Sequence, residues 1–76
     1  MLIMVHERLK DLDVVALMVD LPAEGLARGQ IGTVVHVYAP DAFEVEFVDN
    51  AGHTYALTTL KSDQVMRLLF APATAA

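Results

Sequence analysis

Residues 29–38 read GQIGTVVHVY and residues 43–47 read FEVEF, and these two stretches decide the fold. In the first, Gly29 and Gly32 lead into a run of β-branched residues, which favour strands. In the second, apolar and acidic residues alternate strictly, which is typical of a strand with one buried face. The two stretches predict a loop that feeds a β-hairpin, and they indicate an all-β protein.

Other segments have the composition of strands and turns that extend this hairpin. Residues 13–19 are rich in β-branched residues and residues 53–60 in Thr and Tyr, so both are predicted strands. Between the hairpin strands, residues 49–52 predict a turn with Gly52 in the left-handed conformation. A last short strand is expected at residues 65–69. Five short antiparallel strands, with a long loop after the first and a short turn before the last, indicate a small SH3-like barrel.

The 76 residues are expected to form one domain. We assign the barrel to residues 12–70, an apolar segment with a short turn to residues 1–11, and a frayed tail to residues 71–76. The chain has no cysteine, so we expect a reducing compartment and a cytoplasmic protein. No run of apolar residues is long enough to span a bilayer, so no membrane association is expected.

The distribution of charge restricts the partners that the protein can bind. The net charge is −5, and Arg28 is the only basic residue between Lys10 and Lys61. Nucleic-acid binding requires Lys and Arg to neutralise phosphates, so no nucleic-acid partner is expected. Complementary charge favours a basic protein partner instead. The alternative is that the acidic surface serves only solubility. The acidic residues predicted to contact such a partner are Asp41, Glu44, Glu46 and Asp49.

Two patterns have both a chemical and a structural interpretation. Gly29 and Gly32 resemble a phosphate-binding loop, but no lysine lies near them and a strand follows instead of a helix. We therefore interpret Gly29, Gly32 and Gly52 as structural glycines. Glu44 and Glu46 lie on one face of a strand, about 7 Å apart, as a catalytic carboxylate pair would. A solvated strand face gives the same alternation, and we favour it.

The three histidines are the remaining candidates for chemistry. His6, His36 and His53 lack the close spacing of a metal-binding motif, so half-exposed strand histidines are the favoured interpretation. The sequence also contains no motif for an activated nucleophile, because cysteine is absent and no base is paired with a serine or threonine. We expect no catalytic activity, no metal and no cofactor.

The C-terminal part of the chain is unusually apolar. Hydrophobic residues make up 55% of the sequence, and residues 65–70 place apolar side chains on both faces of the last strand. Exposed apolar surface of this kind favours self-association. We predict a homodimer that uses Leu68, Leu69 and Phe70; the alternative is that a flap or residues 2–5 cover them.

Several segments together carry a resemblance: DVVAL at 13–17, DLP at 20–22, GQIGTVVHVY at 29–38, FEVEFVD at 43–49 and GHTYALTTL at 52–60. They resemble a family of small, mostly stand-alone bacterial domains of unknown function, over nearly the whole domain. The resemblance implies an SH3-like barrel and no known activity. The shorter GQIGTVV pattern is similar to KOW-type barrels of ribosomal and transcription proteins and to the barrel of the nitrile hydratase β subunit.

These observations predict a non-enzymatic protein–protein interaction module. One version is an antitoxin-like, immunity-like or regulatory partner whose acidic face covers a basic surface. The alternatives are a KOW-type module associated with nucleic acid and a small ligand-binding or metal-binding barrel. The first alternative requires a basic stripe, which the sequence lacks, and a metal site requires the three histidines to converge.

Overall fold

Five antiparallel strands form the protein, and a computed structural model describes them within residues 8–72. The strands are β1 (Val14–Leu17), β2 (Ile31–Ala39), β3 (Ala42–Val48), β4 (Thr54–Leu60) and β5 (Val65–Arg67). Two single turns of 3-10 helix, Pro22–Glu24 and Ser62–Gln64, lie in the connections, and residues 8–72 contain no α-helix. The predicted all-β fold is confirmed. The parts of the predicted terminal segments at residues 1–7 and 73–76 lie outside the described residues.

The order of the strands requires a curled sheet. The order is β4-β3-β2-β1-β5, so the strands at the two edges are consecutive in sequence. Across a flat sheet of five strands the edges would stand about 19 Å apart. The link at residues 61–64 contains a 3-10 turn, which advances only about 2 Å per residue, so it cannot span that distance. The sheet is therefore barrel-like, although no ladder among the described residues joins β4 to β5.

Irregular pairing in β2 contributes to the curl. The register between β2 and β3 shifts between Val34 and His36 and again between Val37 and Ala39. Val35 and Tyr38 are the additional residues at these two shifts. Bulges of this kind increase the local right-handed twist and bend the strand that carries them.

One face of the sheet carries the core. Phe43, Val45 and Phe47 of β3 are buried, and the intervening glutamates are not. Burying one such side chain contributes roughly 1.5–3 kcal/mol. Within residues 8–72 the other buried apolar residues are Val15, Leu17, Leu26, Val34, Leu60 and Val65. The alternation in the sequence therefore reports which face of β3 is buried.

The loop between β1 and β2 is ordered by its own polar contacts. Leu21 and Leu26 form an isolated bridge, which places Leu26 in the core. The Asp20 carboxylate accepts a hydrogen bond from the Arg28 backbone N–H at 2.9 Å. The loop thus supplies a buried residue that the strands alone do not provide.

Two glycines have distinct backbone roles. Gly32 lies inside β2 opposite Phe47, and a Cβ atom at this position would stand 2.5 Å from Cγ1 of Val45. Only a residue without a side chain permits β2 to approach β3 this closely. Gly52 lies in the turn between β3 and β4 with φ of 85°, a conformation that other residues resist. As predicted, β3 and β4 pair across this turn.

Candidate functional site

The outer face of β3 carries the two central residues of the predicted partner site. Glu44 and Glu46 alternate with the buried Phe43, Val45 and Phe47, so their side chains lie on the face that points away from the core. Residues two positions apart on a strand, as these glutamates are, lie about 7 Å from each other. Both glutamates are half-buried. The structure therefore brings these two carboxylates together on one surface.

Threonines of β4 hold both carboxylates. The hydroxyl of Thr59 donates to Oε1 of Glu44 at 2.8 Å, and the hydroxyl of Thr54 donates to Oε2 of Glu46 at 2.6 Å. Hydrogen bonds to an ionised acceptor are stronger than neutral ones. Each bond uses one carboxylate oxygen and directs the side chain across β4, towards the edge of the sheet. The outer face is thus an ordered acidic surface.

A third glutamate contacts β4 from the long loop. Glu24 ends the first 3-10 turn, and its Oε1 atom accepts a hydrogen bond from the Thr58 hydroxyl. Thr58 pairs with the buried Val45, so this contact lies on the inner side of β4. Three threonines of one strand therefore bind three glutamates from two other parts of the chain. We name Glu24, Glu44 and Glu46, with Thr54, Thr58 and Thr59, the threonine–glutamate surface.

Asp41 lies at one end of β3, in the turn between β2 and β3. It accepts hydrogen bonds from the Ser62 hydroxyl and from the Ser62 backbone N–H, the latter at 3.0 Å. These two bonds, with a smaller contribution from the charge of Lys61, lower the pKa of the Asp41 carboxyl below its usual value. Asp41 therefore joins two turns that are distant in sequence.

Asp49 lies at the other end of β3 and shapes the turn to β4. Its Oδ1 atom accepts hydrogen bonds from the backbone N–H groups of Ala51 and His53, both at 2.9 Å. The His53 ring lies 3.7 Å from Oδ2 of the same carboxylate. Asp41 and Asp49 are thus at opposite ends of the strand, so the four predicted acidic residues form a line with a central pair.

The histidines within residues 8–72 do not converge on a metal site. His36 pairs with Glu44 across the β2–β3 ladder and packs edge-on against Tyr38, with ring centroids 4.6 Å apart. His53 lies beside Asp49 near the opposite end of β3. No group of three His, Asp or Glu side chains in this range could hold a metal ion. His6 lies outside the described range.

The predicted structural glycines do not form a phosphate loop. Gly29 lies in the loop before β2 with φ of 97°, and its backbone N–H donates to the Leu17 carbonyl at 2.7 Å. Gly32 lies within β2, so the segment after Gly29 is a strand. The helix N-terminus that binds phosphate in such loops is therefore not formed here.

An open cleft of about 410 Å³ lies at one end of the sheet. Phe43 and Val65 contribute its apolar part, and Arg8 and Arg67 its cationic part. Among residues 8–72, those that line the cleft include no Asp, Glu or His. The Ser62 hydroxyl in the cleft donates to Asp41. A carboxylate outside the lining residues therefore contacts this hydroxyl.

The residues of the predicted dimer interface follow β5. Leu68 is half-buried, and its backbone N–H donates to the Val14 carbonyl at 2.8 Å. Leu69 and Phe70 are 65% and 81% exposed. Residues 2–5, the alternative cover for this segment, lie outside the described range. Leu69 and Phe70 are therefore surface residues of the described domain.

Within residues 8–72, no helix has the length and apolar character needed to cross a membrane.

The threonines and Glu24 of the threonine–glutamate surface are not among the residues that the sequence singled out. Thr54 pairs with Val48 on the turn side of β4, and Val48 shares the outer face of β3 with Glu46, so the Thr54–Glu46 contact follows from pairing next to the turn. Thr59 pairs with Glu44 only because the register shifts beside Val48 and makes Tyr55 an additional residue; regular pairing continued from Val48 and Thr54 would place Thr58 opposite Glu44. No pattern in the sequence marks that shift.

Comparison with known proteins identifies a family and no individual relative. No curated protein and no solved structure matches the chain significantly. One family model matches residues 11–67, which span all five strands. This confirms the resemblance to a small family of unknown function. The chain belongs to the family described as Domain of unknown function (DUF4926).

Proposed function

We propose that the protein is a non-enzymatic protein–protein interaction module whose acidic outer face binds a basic partner. One observation carries the proposal: Glu44 and Glu46 are held side by side by hydroxyls of the neighbouring strand. Side chains ordered before binding lose less conformational entropy on association. Between Arg28 and Lys61 the sequence has no basic residue that could neutralise them.

The proposed contact is centred on Glu44 and Glu46, and Asp41 and Asp49 flank it at the two ends of β3. A partner with Lys and Arg on a complementary surface would be steered to this face by charge. An antitoxin-like or regulatory role fits such a partner, because the acidic face would cover its basic surface. The absence of cysteine favours a cytoplasmic setting for this interaction.

Affinity capture with matched variants tests this function. Tagged protein is used to capture partners from native cells, and the co-eluting proteins are identified by mass spectrometry. The Glu44→Gln/Glu46→Gln variant keeps acceptors for both threonines and removes two charges. The control, Asp11→Asn/Asp63→Asn, removes two charges from exposed residues elsewhere. We expect a basic partner with the native chain and the control, and a weaker signal with the glutamine variant.

Two results would contradict the proposal. A partner recovered equally by the glutamine variant would show that the acidic face is not the contact. Direct binding of nucleic acid by the purified protein would favour the KOW-type alternative.

We also propose that the chain forms a homodimer through the residues after β5. Leu69 and Phe70 expose large apolar side chains next to each other. Their segment follows β5, which is at the edge of the sheet opposite to β4. This segment contains none of the acidic residues of the proposed partner contact, so the two proposed surfaces are formed by different residues.

A further inference from the structure

The strand β4 is an edge of the sheet. It pairs with β3 on one side and is the last strand in the order. In the part of the chain that the structure describes, no backbone hydrogen bond from a loop or turn reaches residues 54–60. An unpaired strand edge presents a row of N–H and C=O groups that another strand can bind.

The usual protection of such an edge is missing over most of β4. Proteins commonly blunt edge strands with charged residues, proline or a bulge. Residues 56–60 read ALTTL and contain neither charge nor proline. The register shift at Tyr55 affects only the beginning of the strand. Leu57 is 58% exposed, so the outer side of this segment is open to solvent.

The charges beside β4 select the kind of strand that can pair there. Glu44 and Glu46 lie over its outer face, and Glu24 lies on its inner side. A second copy paired through β4 would bring its own three glutamates to the same junction, and like charges close together across strands are destabilising. A strand with Lys or Arg would instead meet carboxylates on both faces.

We propose that the edge of β4 binds an extended, basic segment of a partner protein as a sixth strand. Main-chain hydrogen bonds to residues 56–60 supply much of the affinity, and Lys or Arg side chains supply specificity. Those on the outer face reach Glu44 and Glu46, and those on the inner face reach Glu24. This inference rests on the proposed function and specifies the chemistry of its partner.

Peptide titration followed by NMR tests the inference. The probe is a nine-residue peptide in which lysine alternates with threonine, and amide shifts and hydrogen exchange of the full-length protein are recorded. We expect shift changes and added protection in residues 56–60. An analogue with N-methylated backbone amides keeps the charges but cannot form the ladder. It should bind at least about tenfold more weakly, because it cannot form the backbone hydrogen bonds of the ladder.

Variants and a reversed-charge peptide test the role of the glutamates. Glu44→Gln and Glu46→Gln should each weaken peptide binding about two- to fivefold, as expected for exposed charge pairs. Asp11→Asn is the control and should leave the affinity unchanged. A peptide with glutamate in place of lysine should not bind detectably.

The outcomes separate this inference from the proposed function. Equal binding of the N-methylated peptide, or shift changes away from β4, would overturn edge pairing. The proposed function would still stand if the captured partner depended on Glu44 and Glu46. Equal binding of the acidic peptide would overturn the choice of a basic strand. Protection of β4 that rises with protein concentration in the absence of peptide would show that a second copy occupies the edge.

Discussion

Replacing Gly32 by alanine tests the close packing of β2 on β3. The added Cβ would lie 2.5 Å from Cγ1 of Val45, 3.0 Å from the Glu46 carbonyl oxygen and 3.1 Å from Cε2 of Phe47. Val45 and Phe47 are fully buried, so neither side chain can move into solvent. The backbone, or the packing of both residues, must therefore shift to accommodate one methyl group.

The expected loss can be bounded from two opposing terms. Overpacking a well-packed core costs typically about 1–3 kcal/mol. Alanine restricts the unfolded chain more than glycine does, which offsets about 0.4–1 kcal/mol. We expect Gly32→Ala to lower the free energy of unfolding by roughly 1–2 kcal/mol. For a domain of this size, each kcal/mol lowers the Tm by about 4–8 °C.

A double-mutant cycle identifies the cause of the loss. Val45→Ala alone should cost about 2–3 kcal/mol, through lost burial and a cavity. In Gly32→Ala/Val45→Ala the closest contact is gone, so the combined loss should be smaller than the sum by about 1 kcal/mol. Gly52→Ala is the control, because no atom lies within 4 Å of its added Cβ and its cost comes from φ alone. Urea denaturation followed by circular dichroism measures all the variants.

Two results would refute the reasoning. Gly32→Ala as stable as the native chain would show that the approach of β2 to β3 is not limiting. Additive losses in the double variant would show that Val45 is not the obstacle.

Three further predictions follow from the site and the surface. Asp41→Asn removes the charge of this side chain but keeps an acceptor for Ser62. Because folding lowers the pKa of Asp41, the ionised carboxylate stabilises the native chain at neutral pH. This stabilisation disappears as the pH falls through the lowered pKa. The Asp41→Asn variant should thus be less stable than the native chain at pH 7 and equally stable in strong acid. Urea denaturation at the two pH values measures the difference in free energy of unfolding, and an equal difference at both would contradict this prediction. Phe70→Ser should change the stability of the monomer by no more than about 0.5 kcal/mol, because the side chain is exposed. In light scattering at tens of micromolar, the variant should have a lower average mass than the native chain, closer to that of a monomer. A native chain that is monomeric at this concentration would disprove the dimer. The purified protein should not bind random single- or double-stranded DNA or RNA at physiological salt, and micromolar binding in fluorescence anisotropy would contradict the electrostatic argument.

The sequence was sufficient for those parts of the fold that depend on local patterns. Alternation in residues 43–47 assigned the buried face of β3, and the turn at residues 49–52 fixed its pairing with β4. Both features arise from neighbouring residues, so they can be read directly. The first and last strands are shorter than predicted: β1 spans Val14–Leu17 and not residues 13–19, and β5 spans Val65–Arg67 and not residues 65–69.

Features that depend on three-dimensional placement could not be predicted. The contact of Asp41 with Ser62 joins two turns that only the curl of the sheet brings together. The contact between Glu24 and Thr58 likewise requires the long loop to fold over β4. The sequence indicated an acidic surface, but the threonines that orient its glutamates became apparent only with the register of β4.

The pairing of β1 with β5 has a consequence for the order of folding. Val15 pairs with Arg67, so this ladder joins residues near opposite ends of the domain, whereas β2, β3 and β4 form a meander of consecutive strands. Contacts distant in sequence carry a larger loop-closure cost and tend to slow folding. The hairpins that join β1 to β2, β2 to β3 and β3 to β4 each close a shorter loop, so β5 is expected to pair with β1 last. Until β5 pairs, β1 is an uncovered edge of the partly folded sheet, and this edge is exposed to pairing with other chains and to aggregation.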